Sequence, residues 1–181
     1  MADEPTPYRT GTTALIVAVP EAEPVVARWR HRYDHAAAAG ARAHVTVLFP
    51  FLDANRIDAT VVSELAQMFA RHQKFTARFR RTARRPSILY LPAEPADRFS
   101  RLTKDVVARW PDCPPYGGKY PGTVPHLTVA IRRPDLILDQ VDRGLTDHLP
   151  LTAAITSVDL VAFEGRSWHR HHSFELGRRA W

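Results

Sequence analysis

Cysteine is almost absent from the sequence, with Cys113 as the only one among 181 residues. A single thiol excludes an internal disulfide and a zinc site built from several cysteines. No apolar run approaches the roughly 20 residues that cross a bilayer, so we expect no membrane-spanning segment. The start of the chain is polar and acidic, without the basic and then apolar segments of a secretory signal. These absences predict a cytoplasmic protein.

Lysine is scarce as well: among 25 basic residues only Lys74, Lys104 and Lys119 are lysines. The formal net charge is +6, which favours anionic partners such as phosphates or nucleic acid. The arginine bias suits bidentate recognition of phosphate, but it is equally the bias of a GC-rich genome. The charge therefore agrees with a phosphate substrate without indicating one by itself.

Two short stretches share one pattern, His-Val-Thr-Val at residues 44–47 and His-Leu-Thr-Val at residues 126–129. Both are followed by more apolar residues, which is typical of a strand. Side chains alternate between the two faces of a strand, so His44 shares a face with Thr46, and His126 shares one with Thr128. Within each strand, the Cα atoms of the histidine and the threonine would lie roughly 6.6 Å apart, close enough for both side chains to bind one small anionic group. The repeated pattern predicts a site with two histidines.

The order strand, helix, motif strand, helix, strand occurs twice, and the second motif begins 82 positions after the first. Recurrence of this order by chance is common, but chance does not readily supply the same polar pair in both halves. We therefore expect residues 1–181 to form a single bilobal domain of two pseudo-symmetric lobes that face each other across a cleft. Predicted strands span residues 12–19, 44–49, 75–81, 87–91, 126–131, 155–163 and 168–176; predicted helices span residues 24–39, 57–69, 95–110 and 134–148.

Paired histidines suit the cleavage of a phosphodiester, because one ring can be neutral while the other is protonated near neutral pH. One histidine would remove a proton from an attacking water or hydroxyl, and the other would protonate the leaving oxygen. Each threonine hydroxyl can donate to a nonbridging phosphate oxygen. This scheme needs no metal or cofactor. The alternative is that the histidines are satisfied core residues and the threonines are simple strand formers.

The two tetrads resemble the paired H-x-[ST]-x motifs of the 2H phosphoesterase superfamily. Residues 43–51 are especially similar to bacterial 2′-5′ RNA ligase-like or cyclic phosphodiesterase-like proteins. The resemblance implies an α+β fold, bilobal and duplicated, with two mainly antiparallel sheets, helices outside and a central cleft. It also implies metal-independent hydrolysis of 2′,3′-cyclic phosphates or 2′-5′ linkages in RNA or nucleotides.

Carried over by motif position, the resemblance makes His44 and His126 the acid and the base, and Thr46 and Thr128 the phosphate ligands. For a 2′,3′-cyclic phosphate we favour His126 as base and His44 as acid. The opposite assignment stays open, because pseudo-symmetry lets the orientation of the substrate decide it. The predicted partners are RNA ends or small cyclic nucleotides, bound by a monomer. Two alternatives remain: an RNA 2′-5′ ligase, and a non-catalytic module that binds RNA ends.

Four further side chains are candidates for substrate binding. Tyr116 and Lys119 lie in the Pro- and Gly-rich loop 111–122, where an aromatic ring could stack on a base and the lysine could meet a phosphate. A turn with ordinary surface aromatics explains this loop equally well. Tyr90 and Arg170 could reach the cleft from their strands. The His169-Arg170-His171-His172 run invites a zinc site, but a solvated strand is the better interpretation, and we predict no metal.

Overall fold

The computed structural model describes residues 7–120, 122 and 124–177. Within this part of the chain, nine strands and five α-helices follow one another. The strands are β1 Thr13–Ala18, β2 His44–Leu48, β3 Phe75–Phe79, β4 Ala83–Arg85, β5 Ile88–Pro92, β6 His126–Ile131, β7 Leu151–Ile155, β8 Ser157–Phe163 and β9 Trp168–Glu175. The helices are α1 Glu23–Tyr33, α2 His35–Ala38, α3 Ala59–Ala70, α4 Ala96–Arg109 and α5 Asp135–Thr146.

The first sheet has the strand order β2-β1-β8-β9, and every neighbouring pair in it is antiparallel. Strand β1 lies inside this sheet and is buried over most of its length, as its run of β-branched and apolar residues predicts. The first motif strand, β2, forms one edge. Because β8 and β9 come from the end of the chain, this sheet combines strands from both halves of the sequence.

The other five strands form a three-stranded sheet and a two-stranded sheet, which are linked by one isolated bridge. Strands β4, β5 and β6 pair antiparallel in that order, and β3 pairs antiparallel with β7. The backbone of Arg78 in β3 exchanges hydrogen bonds with Glu94, two residues beyond the end of β5, so β3 and β4 follow the same side of β5. The second motif strand, β6, forms an edge as β2 does. The α+β fold with antiparallel sheets, which the resemblance implies, is confirmed; the sheets number three among the described residues rather than two, because β3 and β7 pair apart from β4, β5 and β6.

Helices cover the sheets and hold them side by side. Helix α4 shows the apolar stripe expected of a surface helix, with Phe99, Leu102 and Val106 buried at the spacing of one helical face. It contacts β2, whereas α1 contacts β6. Helix α4 follows β5, which lies in the sheet of β6, and α1 follows β1, which lies in the sheet of β2. Each motif strand is therefore covered by a helix that follows a strand of the other motif's sheet. This crossing packs the backs of both motif strands into one hydrophobic core.

Two predicted elements are divided in the structure. The single helix expected over residues 24–39 is interrupted at Asp34, whose backbone is extended and whose carboxylate accepts a hydrogen bond from the amide of Ala36 to start α2. The predicted strand 155–163 is divided at Thr156: Ile155 ends β7, the rest of which was not predicted, and the remainder forms β8, because β7 pairs with β3 while β8 pairs with β1. The short exposed strand β4 was not predicted, since Ala-Arg-Arg carries no apolar alternation.

The predicted loop at 111–122 contains a short 3-10 turn over Pro115–Gly118; Pro121 of that loop lies outside the described residues. None of the described helices combines the length and the apolar composition that crossing a bilayer requires.

Candidate active site

Both motif strands present a polar front and an apolar back, as alternation predicts. His44 and Thr46 are half-buried, while Val45 and Val47 between them are buried. The same pattern repeats in β6, where His126 and Thr128 alternate with buried Leu127 and Val129. The two fronts line a common cleft of about 1200 Å³. Strands β2 and β6 have Cα atoms within 8 Å of each other, so the two edge strands bring all four polar side chains together.

Each histidine ring is held by the same local contact. Nδ1 of His44 lies 2.6 Å from the carbonyl oxygen of Arg42, and Nδ1 of His126 lies 2.6 Å from the carbonyl oxygen of Val124. A carbonyl oxygen can only accept, so Nδ1 carries the hydrogen in both rings. This contact fixes the tautomer and leaves Nε2 as the nitrogen that can exchange a proton with a bound molecule.

A buried arginine that sequence reasoning missed joins the two motif regions. Arg30 of α1 is 2% exposed. Its Nε donates to the carbonyl oxygen of Thr128 at 3.0 Å and its Nη1 donates to that of Ala41 at 3.3 Å. Its Nη2 forms an ion pair with Asp34 at 2.9 Å. The sequence feature that indicates burial of Arg30 is its position four residues after Val26 and three before Tyr33, on the buried face of α1.

Burial lowers the pKa of both motif histidines. It lowers the pKa of His44 from 6.5 to about 4; the Arg30 cation adds to this effect, while the carboxylate of Asp34 opposes it. Burial also lowers the pKa of His126, with the Arg85 cation acting in the same direction. Both rings are therefore neutral at pH 7 in the free protein. A bound phosphate anion would favour protonation of an adjacent ring, which would convert the neutral pair into an acid and a base.

The loop before β6 reaches into the site through Tyr116. Its amide donates to the carbonyl oxygen of Phe49 at 2.6 Å, and Tyr116 lines the cleft together with Thr46. Burial raises the pKa of the Tyr116 phenol, so this hydroxyl stays neutral at pH 7. Lys119 lines the same cleft. A side pocket of about 190 Å³ lies next to Tyr116 and also reaches His126.

The other two candidate side chains take different positions. Tyr90 lies opposite Thr128 in the β5–β6 register, and its ring packs edge-on against that of His126, with centroids 5.0 Å apart. It therefore contacts a motif histidine and limits the rotation of that ring. Arg170 lines the cleft from β9, with its Nη1 3.9 Å from Oδ2 of Asp159.

The histidine-rich segment of β9 makes contacts of its own. Nε2 of His169 lies 2.7 Å from the hydroxyl of Ser167, and Nε2 of His171 lies 2.8 Å from the carboxylate of Glu164. The part of the chain that the structure describes contains no group of three or more His, Cys, Asp or Glu side chains arranged to hold a metal ion.

A family model described as the 2′-5′ RNA ligase superfamily matches residues 18–167. The chain belongs to this superfamily. The resemblance stated from the two tetrads, to the 2H phosphoesterases, is thereby confirmed. The match spans both motifs and all the elements that carry them. A search of curated proteins finds no match.

Solved structures share the fold of this chain. Escherichia coli LigT complexed with 3′-AMP is 16% identical, with a TM-score of 0.58 over 93% of this chain and 99% of LigT. The protein TT0787 of Thermus thermophilus is 17% identical, with a TM-score of 0.60 over 93% of this chain and 100% of TT0787. At 16% and 17% identity, the similarity shows that this chain shares its fold with both proteins.

Proposed function

We propose that this superfamily member is a metal-independent phosphodiesterase acting on 2′,3′-cyclic phosphate or 2′-5′ phosphodiester bonds of RNA or nucleotides. One observation carries the proposal: two histidines with identically fixed Nδ1 atoms share one cleft, each with a threonine on the same strand face. This duplication supports the proposal, because displacement at phosphorus requires a proton acceptor and a proton donor and two such histidines would provide both.

In the proposed reaction, the phosphate lies between His44 and His126. Nε2 of one ring accepts the proton of an attacking water as its oxygen bonds to phosphorus. Nε2 of the other ring, protonated beforehand, gives its proton to the oxygen whose bond to phosphorus breaks. Thr46 and Thr128 donate hydrogen bonds to the nonbridging oxygens, where negative charge accumulates. Because the same contact at Nδ1 leaves Nε2 of both rings available for proton transfer, the orientation of the substrate would decide which ring is the acid.

The walls of the cleft suit a nucleotide. LigT has been crystallised with 3′-AMP, with NADP+ and with ATP, and the cleft of this chain encloses about 1200 Å³. Lys119 and Arg170 bring positive charge to its walls, where they would attract a phosphate. Tyr116 lines the cleft beside Thr46, where its ring could stack on a base.

The test is a substrate panel of 2′,3′-cyclic nucleotides, ADP-ribose cyclic phosphate and 2′-5′ oligonucleotides, with products followed by phosphorus NMR. We expect ring opening or cleavage at a rate that excess EDTA leaves unchanged. Loss of activity on chelation would contradict the metal-free mechanism. Binding of several of these substrates without turnover would instead favour a module that binds RNA ends.

A second activity is ligation, the reverse of cleavage at the same bond. The side pocket beside Tyr116 favours it, because that pocket gives a second approach to His126 for the 5′-hydroxyl of another RNA end. Incubating RNAs with 2′,3′-cyclic phosphate and 5′-hydroxyl ends separates the two outcomes. A joined 2′-5′ product shows ligation, and a ring-opened phosphomonoester shows hydrolysis alone.

A further inference from the structure

Asp159 of β8 is a buried carboxylate that the proposed reaction does not use. It is 5% exposed, yet it lines the cleft. Its Oδ1 has no hydrogen-bond partner among the described residues. Its Oδ2 lies 3.9 Å from Nη1 of Arg170, which is too long for a hydrogen bond. Buried carboxylate oxygens without a donor are rare in folded proteins because they are costly. The position therefore indicates a donor that arrives with a bound molecule.

The strand register gives the position of Asp159 relative to the phosphate site. Ile16 of β1 is paired with Thr46 on one side and with Asp159 on the other. Directly paired residues point to the same face of a sheet, so all three lie in one row on the cleft side. Two interstrand spacings place the Cα atoms of Thr46 and Asp159 roughly 10 Å apart. A nucleoside that extends along this row from a phosphate at Thr46 would reach Asp159.

The surface around this row is apolar. Ala14, Ile16 and Val161 form a small cluster, against which Phe49 and Trp168 pack. All five line the cleft. Apolar and aromatic side chains accept the face of a nucleobase, while a polar group at the margin reads its edge. Asp159 supplies such a group, and it can only accept hydrogen bonds when ionised.

We propose that Asp159 accepts N–H donors from the nucleobase of the bound nucleotide and makes the site selective for guanine. This inference rests on the proposed function, in which the cleft binds nucleoside phosphates. Guanine has two adjacent donors, N1–H and the N2 amino group, which match the two oxygens of a carboxylate. Adenine and cytosine place a ring-nitrogen acceptor beside their amino group, and uracil places N3–H between two carbonyl oxygens. Each of these would bring an acceptor against the carboxylate.

The experiment measures binding of product-like nucleotides, so that it does not depend on turnover. Dissociation constants of 3′-GMP, 3′-IMP, 3′-AMP, 3′-CMP and 3′-UMP are determined by calorimetry for the wild type, Asp159→Asn and Glu164→Gln. Glu164 is an exposed acid and serves as the matched control. We expect 3′-GMP to bind the wild type at least about tenfold more tightly than 3′-AMP, since a site built for donors rejects a base that lacks them. Inosine, which keeps N1–H but lacks the amino group, should fall between the two.

Asp159→Asn should remove most of the guanine preference and leave 3′-AMP binding within about twofold, while Glu164→Gln should bind as the wild type does. Equal weakening for all five nucleotides would show that Asp159 reads a ribose hydroxyl, and would overturn the proposed base selectivity. A wild type without preference for guanine would overturn it too, even if Asp159→Asn failed to fold. Failure of the proposed function has a different signature, namely nucleotide binding without hydrolysis of any substrate in the panel.

Discussion

The buried ion pair of Arg30 and Asp34 should control the pKa of His44 with opposite signs. Arg30→Met removes a cation that opposes protonation of His44, so the pKa of His44 should rise. Asp34→Asn removes an anion that favours protonation, so this pKa should fall. Asparagine keeps an oxygen that can accept from the amide of Ala36, as Asp34 does in the wild type. Two neighbouring substitutions thus predict opposite shifts in one measured quantity.

The size of the shift follows from the causes of the low pKa of His44. Burial is the larger cause of its decrease from 6.5 to about 4, and Arg30→Met leaves the ring buried. Recovery should therefore be partial. We expect a rise of about one unit, at the lower end of the range that a neighbouring charge produces. Arg30→Lys keeps the cation and should change the pKa of His44 much less.

Titration of the histidine Cε1–H signals by NMR measures these values directly, with His44→Gln used to assign the signal. Arg28→Met is the control, because Arg28 lies on the same helix but is exposed and stacks on Trp29. Removing one partner of a buried pair costs about 3–5 kcal/mol, so folding is checked by circular dichroism. If Arg30→Met is too unstable, the double variant with Asp34→Asn should still show a small rise, because Arg30 has the larger effect of the two. An unchanged or lower pKa of His44 in folded Arg30→Met would show that the Arg30 cation does not oppose protonation of this ring.

Two further predictions concern stability. The folded pKa of His44, about 4, lies below the usual 6.5, so the unfolded chain binds this proton first. The contribution of His44 to the free energy of unfolding should be complete above pH 6.5 and should decrease toward pH 4, by about 1–2 kcal/mol for a half-buried ring. Urea unfolding measures this free energy at pH 7 and at pH 4.5, and the decrease between the two should be smaller in His44→Gln than in the wild type. Gly144→Ala should lower the melting temperature by several degrees, because a Cβ there would collide with the Trp29 indole. Gly122→Ala is the control and should leave the melting temperature unchanged, because its Cβ would contact nothing. Equal melting temperatures for Gly144→Ala and the wild type would argue against tight packing between α1 and α5.

Much of the fold could be predicted because local pattern and tertiary packing agree. Alternation in the motif strands predicts which side chains face the cleft, and the buried stripe Phe99, Leu102 and Val106 predicts α4. The break at Thr156 could not be read from the sequence. No glycine or proline marks the break, and only the choice of partner strand, β3 for β7 and β1 for β8, divides the segment.

The candidate site divides in the same way. His44 and His126 are identifiable because one pattern occurs twice, but the contributions of Arg30 and Asp159 depend on tertiary contacts. Arg30 is one arginine among several on α1, and its importance comes from reaching the carbonyl oxygen of Thr128, 98 residues away in sequence. Asp159 acquires its position through the pairing of β1 with β8. Neither contact leaves a local pattern in the sequence.

The central claim is that His44 and His126 both transfer protons during cleavage. The most direct measurement is kcat for a 2′,3′-cyclic nucleotide at pH 7 in EDTA, compared among the wild type, His44→Gln, His126→Gln and the exposed control His148→Gln. We expect each motif variant to be slower by about 10²–10⁴-fold, with binding of a 3′-nucleotide retained and His148→Gln at the wild-type rate. Near-normal kcat in either His44→Gln or His126→Gln would contradict the account.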